Sequence, residues 1–552
     1  PLSLRRRHTR LCKLSRGLGD VYKRQGVSSA RKTRISPRIT RIEIGSYRNF
    51  RFLQVKDSEG DVKRRNWILA GVGLVLVVLA VWQLGAATRG LEVTTVRDAE
   101  PRLVVMAPEG VTPGSRPLVL IAHGFSGSTA IMRGFALTLA HAGYTAVLWD
   151  FQGHGTNPEP MSSSSGGGSL AATAEAALAE ALDRGYGDAE RLAILGHSMG
   201  SGVALAFGID HPGTAATIAV SPTGQEVSPE LPRNLLLMAG TLEGRFVQNA
   251  EQRLEEAGGT GGDHAAGTAR KLIVVPGVEH ISILFSPTAH AAARDWLDAA
   301  FGAQQAAQDY TDRRILWYAL GAVGALLLGA GLAPLVADPK AATTGPRRSV
   351  WWRLAALAGG AVGATLILWL VSLAGLELRE VLGLLVGGYL LIWFGVAGVL
   401  SLLLLWVRPG VPTLRAMLGG LMAFSVLWLG AGLLAEWVWL RWLLIPRRLI
   451  LWPLGIVLTR PWFLAAGETV RGTGLGGRIG WLVAHTLVLV GALFLSLQLS
   501  SELGYLMLIL PMFPIIIGLH ALAAAPHRGS WPFAISGALF VSWMLLAVFP
   551  LQ

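Results

Sequence analysis

The chain has one cysteine, Cys12, among 552 residues. No intramolecular disulfide can form and no thiolate-rich metal site can be built, so the fold must hold without cross-links. Charge is scarce too: Asp, Glu, Lys and Arg make up 15% of the chain, against 52% hydrophobic residues and a mean hydropathy of +0.48. That excludes a soluble composition throughout and points to a large membrane-embedded fraction. No H-E-x-x-H or comparable spacing occurs, so neither a metal nor any other cofactor is expected. Methionine is absent before Met106. The segment Leu14–Gln25, LSRGLGDVYKRQ, reads as translated adapter sequence, and about the first 25 residues are set aside from fold reasoning.

The net charge of +13 invites a nucleic-acid reading, but its distribution argues otherwise. Residues 1–65 hold 19 Lys/Arg against 5 acids, whereas residues 91–300 hold 12 basic and 22 acidic residues. The remaining cations lie mostly in short loops between apolar runs. This is the charge pattern of membrane orientation, and no nucleic-acid partner is expected.

Four regions follow. Residues 1–65 read as a basic disordered tail. Residues 66–86 hold the apolar run Trp67–Leu84, just long enough to span a bilayer, directly after Lys63, Arg64 and Arg65. The positive-inside rule places the preceding tail in the cytoplasm and the next domain outside. A cleaved signal peptide ending at Gly85-Ala86-Ala87 is the alternative, and it exports the same domain. Residues 87–305 alternate short β-branched runs (102–106, 118–122, 145–150, 192–195, 216–220, 234–239 and 272–275) with Ala-rich helical stretches (130–142, 170–184, 199–209, 246–257 and 288–300). That alternation predicts an α/β domain, a mostly parallel sheet covered by helices on both faces. The Ser/Gly tract between Met161 and Leu170 reads as a flexible loop.

Residues 306–552 read as an all-α polytopic membrane domain. Spans are expected near 315–336, 354–373, 381–407, 416–434, 479–499, 503–522 and 532–551. The stretch 437–470 is broken by Arg441, Pro446, Arg447, Arg448, Pro453, Arg460 and Pro461, so it reads as an interfacial helix, a re-entrant segment or a short span. With the anchor, about seven to nine spans are expected. The loop holding Lys340, Arg347 and Arg348 should be cytoplasmic. Glu377, Arg379, Glu380, Glu436, Arg441, Glu468 and Arg471 read as snorkelling or interfacial groups, and His485 as buried within a span. Trp351–Arg353 and Trp437–Arg448 read as interface anchors.

The strongest local signal is Gly196-His197-Ser198-Met199-Gly200, set between the apolar run Leu192–Leu195 and a helix of small residues. A strand–turn–helix of this kind strains the serine backbone, needs glycine two positions to either side, and lifts the hydroxyl into solvent. The helix start offers an N–H and a dipole to a developing oxyanion.

With this motif the sequence resembles the α/β-hydrolase superfamily, nearest to its lysophospholipase, monoglyceride lipase and serine aminopeptidase-like branch. Three further segments match in order: Leu118–Gly124 (LVLIAHG) with Phe125; Asp150-Phe151-Gln152-Gly153-His154-Gly155; and Val275-Pro276-Gly277-Val278-Glu279-His280. Gln152 stands where the family has Arg. The resemblance implies Ser198 as nucleophile, His280 as base and an acid lying between them in sequence. Glu243 in Gly240-Thr241-Leu242-Glu243 fits, where the family has Asp, and Asp263 is the runner-up. Backbone N–H groups of Phe125 and Met199 would form the oxyanion hole. His123, Gly124, Asp150, Gly153, His154, Gly155, Gly196, His197 and Gly200 are motif residues with structural roles, and His264 and His290 read as solvated. Only Ser221–Arg233 separates two strands where many relatives insert a helical cap, so the pocket is open or covered from elsewhere.

The expectation is an integral, multi-pass protein of a bacterial cell membrane, with an extracytoplasmic serine hydrolase domain. Its expected partners are membrane lipids and a lipid-like or acylated small-molecule ester. A peptidase or acyltransferase on the same residues, or a transporter or scaffold with a non-catalytic hydrolase-like domain, are the alternatives.

Overall fold

The computed structural model describes residues 59–110, 114–161, 167–305, 307–337, 348–470 and 475–552. The tail with Cys12 and the adapter-like segment, most of the Ser/Gly tract, Lys340, Arg347 and Arg471 lie outside the described residues.

After helix α1 (Glu59–Ala86) the chain builds an eight-stranded sheet. Its strands are β1 (Leu91–Val96), β2 (Leu103–Pro108), β3 (Pro117–Ala122), β4 (Thr145–Trp149), β5 (Asp188–His197), β6 (Ala216–Val220), β7 (Leu235–Gly240) and β8 (Arg270–Val275), in spatial order β1-β2-β4-β3-β5-β6-β7-β8. β2 runs antiparallel to both β1 and β4, and every other pairing is parallel. The central strands β3, β4, β6 and β7 are buried along their whole length, as parallel strands covered on both faces must be.

Side-chain alternation sorts the two faces. Val119 and Ile121 of β3 join a core with α2 (Arg133–His141) and α6 (Pro287–Phe301), through Phe135, Leu139 and Leu297. Leu118 and Leu120 point the other way, toward α3 (Gly167–Asp183) and α4 (Met199–Asp210). The helix α5 (Gly244–Glu256) packs over β7 through Ala250. β1 was not expected from sequence: its burial pattern shows polar and apolar residues mixed, as at a sheet edge, and no continuous apolar run marks it.

Among the described residues ten further helices follow: α7 (Arg314–Leu332), α8 (Val350–Leu373), α9 (Gly387–Leu405), α10 (Leu414–Val426), α11 (Pro446–Leu449), α12 (Trp452–Val470), α13 (Leu475–Leu499), α14 (Leu506–Ile509), α15 (Phe513–Ala524) and α16 (Ser530–Val548). Among the described residues, seven helices are long and apolar enough to cross a membrane: α1, α7, α8, α9, α10 with the helical turns that extend it to Leu433, α13 and α16. The expected span near 503–522 is instead broken into the short α14 and α15 around Pro511 and Pro514. The ambiguous stretch resolves into α11 and the 19-residue α12, which keeps Pro461 inside. The α12 helix packs between α9 and α16. The backbone of Gly398 in α9 lies against Pro461 and Trp462, an approach that only a residue without a side chain allows.

Several polar residues read as interfacial are instead buried. Glu436 accepts the Trp442 and Leu443 N–H groups and pairs with Arg441 at 2.6 Å, and Glu468 accepts from the Ser530 hydroxyl. Arg353 donates to the Thr469 carbonyl at 2.8 Å. Backbone groups serve Glu436 and Arg353, and a serine hydroxyl serves Glu468, so each charge finds partners without reaching the surface. His485 lies fully buried between the rings of Trp462 and Trp481.

The two regions are bonded to each other. Arg133 of α2 donates to the Glu436 carbonyl at 3.3 Å, and within the membrane region Arg314 pairs with Asp312 at 2.7 Å and donates to the Trp437 carbonyl. Arg448 donates to the Gly153, Phe549 and Leu546 carbonyls. The C-terminal Leu551 exchanges backbone bonds with the same turn: its N–H donates to Gly153 and its carbonyl accepts from Met161, both at 2.8 Å.

Candidate active site

Ser198 sits between the end of β5 and the start of α4 with φ 53° and ψ −119°, a left-handed conformation costly for a residue with a side chain. The surroundings hold it there. Its N–H donates to the Val220 carbonyl at 2.9 Å, and its carbonyl accepts from the Ser201 and Thr223 hydroxyls at 2.5 and 3.0 Å. The flanking glycines are required by space: a Cβ on Gly196 would run into the Gly200 carbonyl, and one on Gly200 would lie 2.5 Å from the His123 carbonyl oxygen.

His280 follows β8 and places Nε2 3.0 Å from the Ser198 hydroxyl and Nδ1 2.7 Å from a Glu243 carboxylate oxygen. A carboxylate only accepts, so Nδ1 carries the proton and Nε2 is left free to accept from the serine. The other Glu243 oxygen accepts from the Gly240 N–H at 2.6 Å and the Ser221 hydroxyl at 2.8 Å. Glu243 is therefore fixed from both sides, and the Phe246 ring stacks on His280 at 4.2 Å. Asp263 is exposed in the loop after α5 and caps its own turn, accepting from the Ala265 N–H. The structure brings Ser198, His280 and Glu243 together and leaves Asp263 outside.

Phe125 lies in the turn after β3, and Met199, as first residue of α4, has no earlier helical carbonyl to bond. The Phe125 ring stacks on Tyr505, just before α14, with centroids 3.8 Å apart.

The motif histidines are structural in geometry. His123 accepts from the Phe151 N–H at 3.1 Å and its other nitrogen faces the Gly124 carbonyl at 2.8 Å. His154 donates to the Gln152 carbonyl and His197 to the His280 carbonyl. Burial lowers the pKa of all three, that of His154 to about 3 and that of His197 well below the usual range. Burial raises the Asp150 carboxyl, but His123 and hydrogen bonds from Thr129 and Thr156 outweigh it and leave its pKa depressed. A Cβ on Gly155, whose φ is +51°, would strike that carboxylate. Gly153 has φ +73° and presents its carbonyl to Arg448 and Leu551. A Cβ on Gly124 would lie 2.9 Å from His197. His290, expected to be solvated, is buried: it faces the Leu284 carbonyl at 2.9 Å and the Phe135 ring. His264 is half-buried, edge-on to Trp296.

Sequence reasoning missed Ser221 and Phe246. Ser221 directly follows the buried run of β6, a strand-end position that offered a signal. It also missed the roof. The cavity above Ser198 is walled by Trp439, Leu440, Met512, Ile516, Leu545 and Val548, all from the membrane region. No cluster of His, Cys, Asp or Glu suited to a metal occurs among the described residues.

The sheet, its covering helices and the strained turn at Ser198 define an α/β-hydrolase domain. Residues 113–272 match the family model of serine aminopeptidase, S33, and that match supports a hydrolase. Two Mycobacterium tuberculosis proteins described as uncharacterized, from strains CDC 1551 / Oshkosh and H37Rv, are 30% identical over 183 residues, 30% of this chain. The chain spans 64% of the length of these curated relatives. Solved structures similar to this chain include a hormone-sensitive lipase from a metagenome library (16% identity, 44% of this chain and 99% of that one, TM-score 0.29) and an esterase/lipase from an uncultured bacterium (18%, 38% and 84%, TM-score 0.28).

Proposed function

We propose that the protein is a membrane-anchored serine hydrolase that cleaves carboxylic esters with an apolar acyl chain through an acyl-Ser198 intermediate. The observation that carries this reading is the hydrogen-bonded series Glu243–His280–Ser198 at the floor of a cavity roofed by apolar side chains of the membrane region.

In this reading His280 Nε2 takes the hydroxyl proton as Ser198 Oγ attacks the ester carbonyl carbon. Glu243 holds the imidazole tautomer and stabilises the imidazolium. The N–H groups of Phe125 and Met199 donate to the oxyanion, where losing one donor costs about 100–1,000-fold. The tetrahedral centre collapses, and the leaving alcohol departs with the proton from His280. Water then attacks the acyl-serine and passes a proton to His280, which returns it to Ser198 Oγ as the acid leaves. The apolar roof suits an acyl chain and gives a free α-ammonium no counter-charge, which favours an ester over an amino-terminal peptide. The same roof limits water above Ser198 and so favours acyl transfer as the second reading.

A fluorophosphonate probe should label the wild-type chain at Ser198, with hydrolysis of p-nitrophenyl esters falling about 10⁶-fold in Ser198→Ala. Labelling that persists in Ser198→Ala overturns the assignment. Product analysis with water and alcohol acceptors separates hydrolysis from transfer.

A further inference from the structure

A second cavity, of about 280 Å³, lies against the β1–β2 edge and is lined by Arg97, Arg102, Arg133 and Arg441. Arg97 and Arg102 follow and precede the paired ends Val96 and Leu103, so the ribbon register sets these two exposed residues opposite each other at the rim of the cavity. Like charges facing across a strand pair are destabilising. Among the described residues neither side chain has a hydrogen bond or ion pair. Arg133 opens α2, and Arg441 comes from the membrane region.

The carboxylates nearby are already committed. Asp150 accepts from Thr129 and Thr156 through both oxygens, and Glu436 binds Arg441 and two backbone N–H groups. Arg133 donates to the Glu436 carbonyl, yet its buried Nε and that of Arg441 have no acceptor. Buried donors of this kind carry a cost that an anion would remove. Burial chiefly, with Arg314 and Arg441 beside it and Glu436 and Asp150 opposing, lowers the Arg133 pKa to about 10.

We propose that this cavity binds a phosphate group. Arginine forks match phosphate oxygens bidentately, and four of them converge where no protein carboxylate neutralises them all. The cavity shares its walls with the one above Ser198. The segment around Gly127, Thr129, Ile131 and Arg133 and the segment Trp439–Arg441 line both between them. A phosphate on a lipid headgroup would therefore sit beside the acyl cavity. Binding is a property of the arginines and does not depend on the chemistry assigned to Ser198.

The test uses the full-length chain in nanodiscs of a galactolipid, which carries no phosphate, and follows thermal unfolding. Inorganic phosphate is titrated against chloride at matched ionic strength, and a parallel series incorporates phosphatidic acid. Wild type should show a saturable rise in midpoint. Arg97→Gln/Arg102→Gln should bind at least about 10-fold more weakly. Without anion, the double variant should be as stable as wild type or more so, because the opposed charges are gone; a merely structural pair would leave it less stable. A shift with both ligands identifies the phosphate group itself as sufficient, and a shift with phosphatidic acid alone identifies a headgroup presented by the bilayer. No shift in wild type, an equal shift in the variant, or a variant destabilised without anion overturns the proposal. Ser198 labelling is read separately, so failure here leaves the hydrolase reading standing.

Discussion

The two regions of the chain use the same apolar residue types in opposite ways. Among described residues of the hydrolase domain only Val93, Leu242 and Val274 are large hydrophobics left exposed, whereas the helices of the membrane region and α1 expose Trp67, Val75, Leu316, Trp351, Leu403, Leu487 and many more. Water drives the first pattern, since each exposed side chain there costs about 1.5–3 kcal/mol of burial. In the second, lipid removes that penalty, and close packing with internal hydrogen bonding decides which faces meet. Polar groups differ in the same sense. Those of the hydrolase domain converge on one site, while Thr365, Trp393 and Ser496 tie helices together within the bundle. The comparison teaches that the polar groups of the candidate site sit in one region and that the walls around it are built by both.

The sharpest test is of the polar machinery. Glu243→Gln keeps the shape but leaves His280 in the wrong tautomer, so kcat should fall about 10⁴-fold, measured on a soluble short-chain ester. The roof is tested next. Leu545→Trp should fill the cavity and lower kcat/KM for long-chain relative to acetyl esters by about 10–200-fold, while Ser198 labelling by a small probe persists. An unchanged chain-length profile would mean that the membrane region does not shape substrate choice.

The buried histidines of the hydrolase domain make its stability depend on pH. His123, His154, His197 and His290 all have pKa values lowered from 6.5, that of His154 to about 3. Below about pH 6.5 the unfolded chain takes up protons that the folded domain refuses, so stability is complete above that pH and declines as pH falls toward about 3. The hydrolase domain should lose near-ultraviolet circular dichroism in this window while helical signal from the membrane region persists. A more modest effect is expected at Ser221→Ala, which removes one bond to Glu243 and should lower kcat about 10-fold. Smallest of all, Asp263→Asn should change activity and stability by under about 0.5 kcal/mol. A large loss there would reopen the choice of acid.

Much of the hydrolase fold was legible because strands and helices alternate with different hydrophobic periods, and because the turn at Ser198 demands glycines at fixed offsets. Its edge strand β1 was not, since a half-exposed edge has no continuous apolar run. Glu243 could be nominated over Asp263 from its place after β7, and the structure sets it 2.7 Å from His280 with Asp263 outside. In the membrane region, length and hydropathy marked the long spans. They did not separate the broken α14–α15 passage from a span, because prolines act through backbone geometry that hydropathy ignores.

Local sequence by itself determined the class of domain and nominated Ser198 and His280, because a strained turn and a strand-borne histidine are short-range demands on residue type. Only the tertiary structure decided what covers Ser198. The missing cap is supplied by Leu440, Met512 and Leu545, residues 240 to 350 positions away whose apolar character is indistinguishable in sequence from that of their lipid-facing neighbours. The same holds for the four arginines. Arg441 alone reads as an interfacial charge and nothing in sequence links it to Arg97, Arg102 or Arg133; the four line one cavity only in the folded chain. Contact between distant segments is a property of packing, and no periodicity along the chain encodes it.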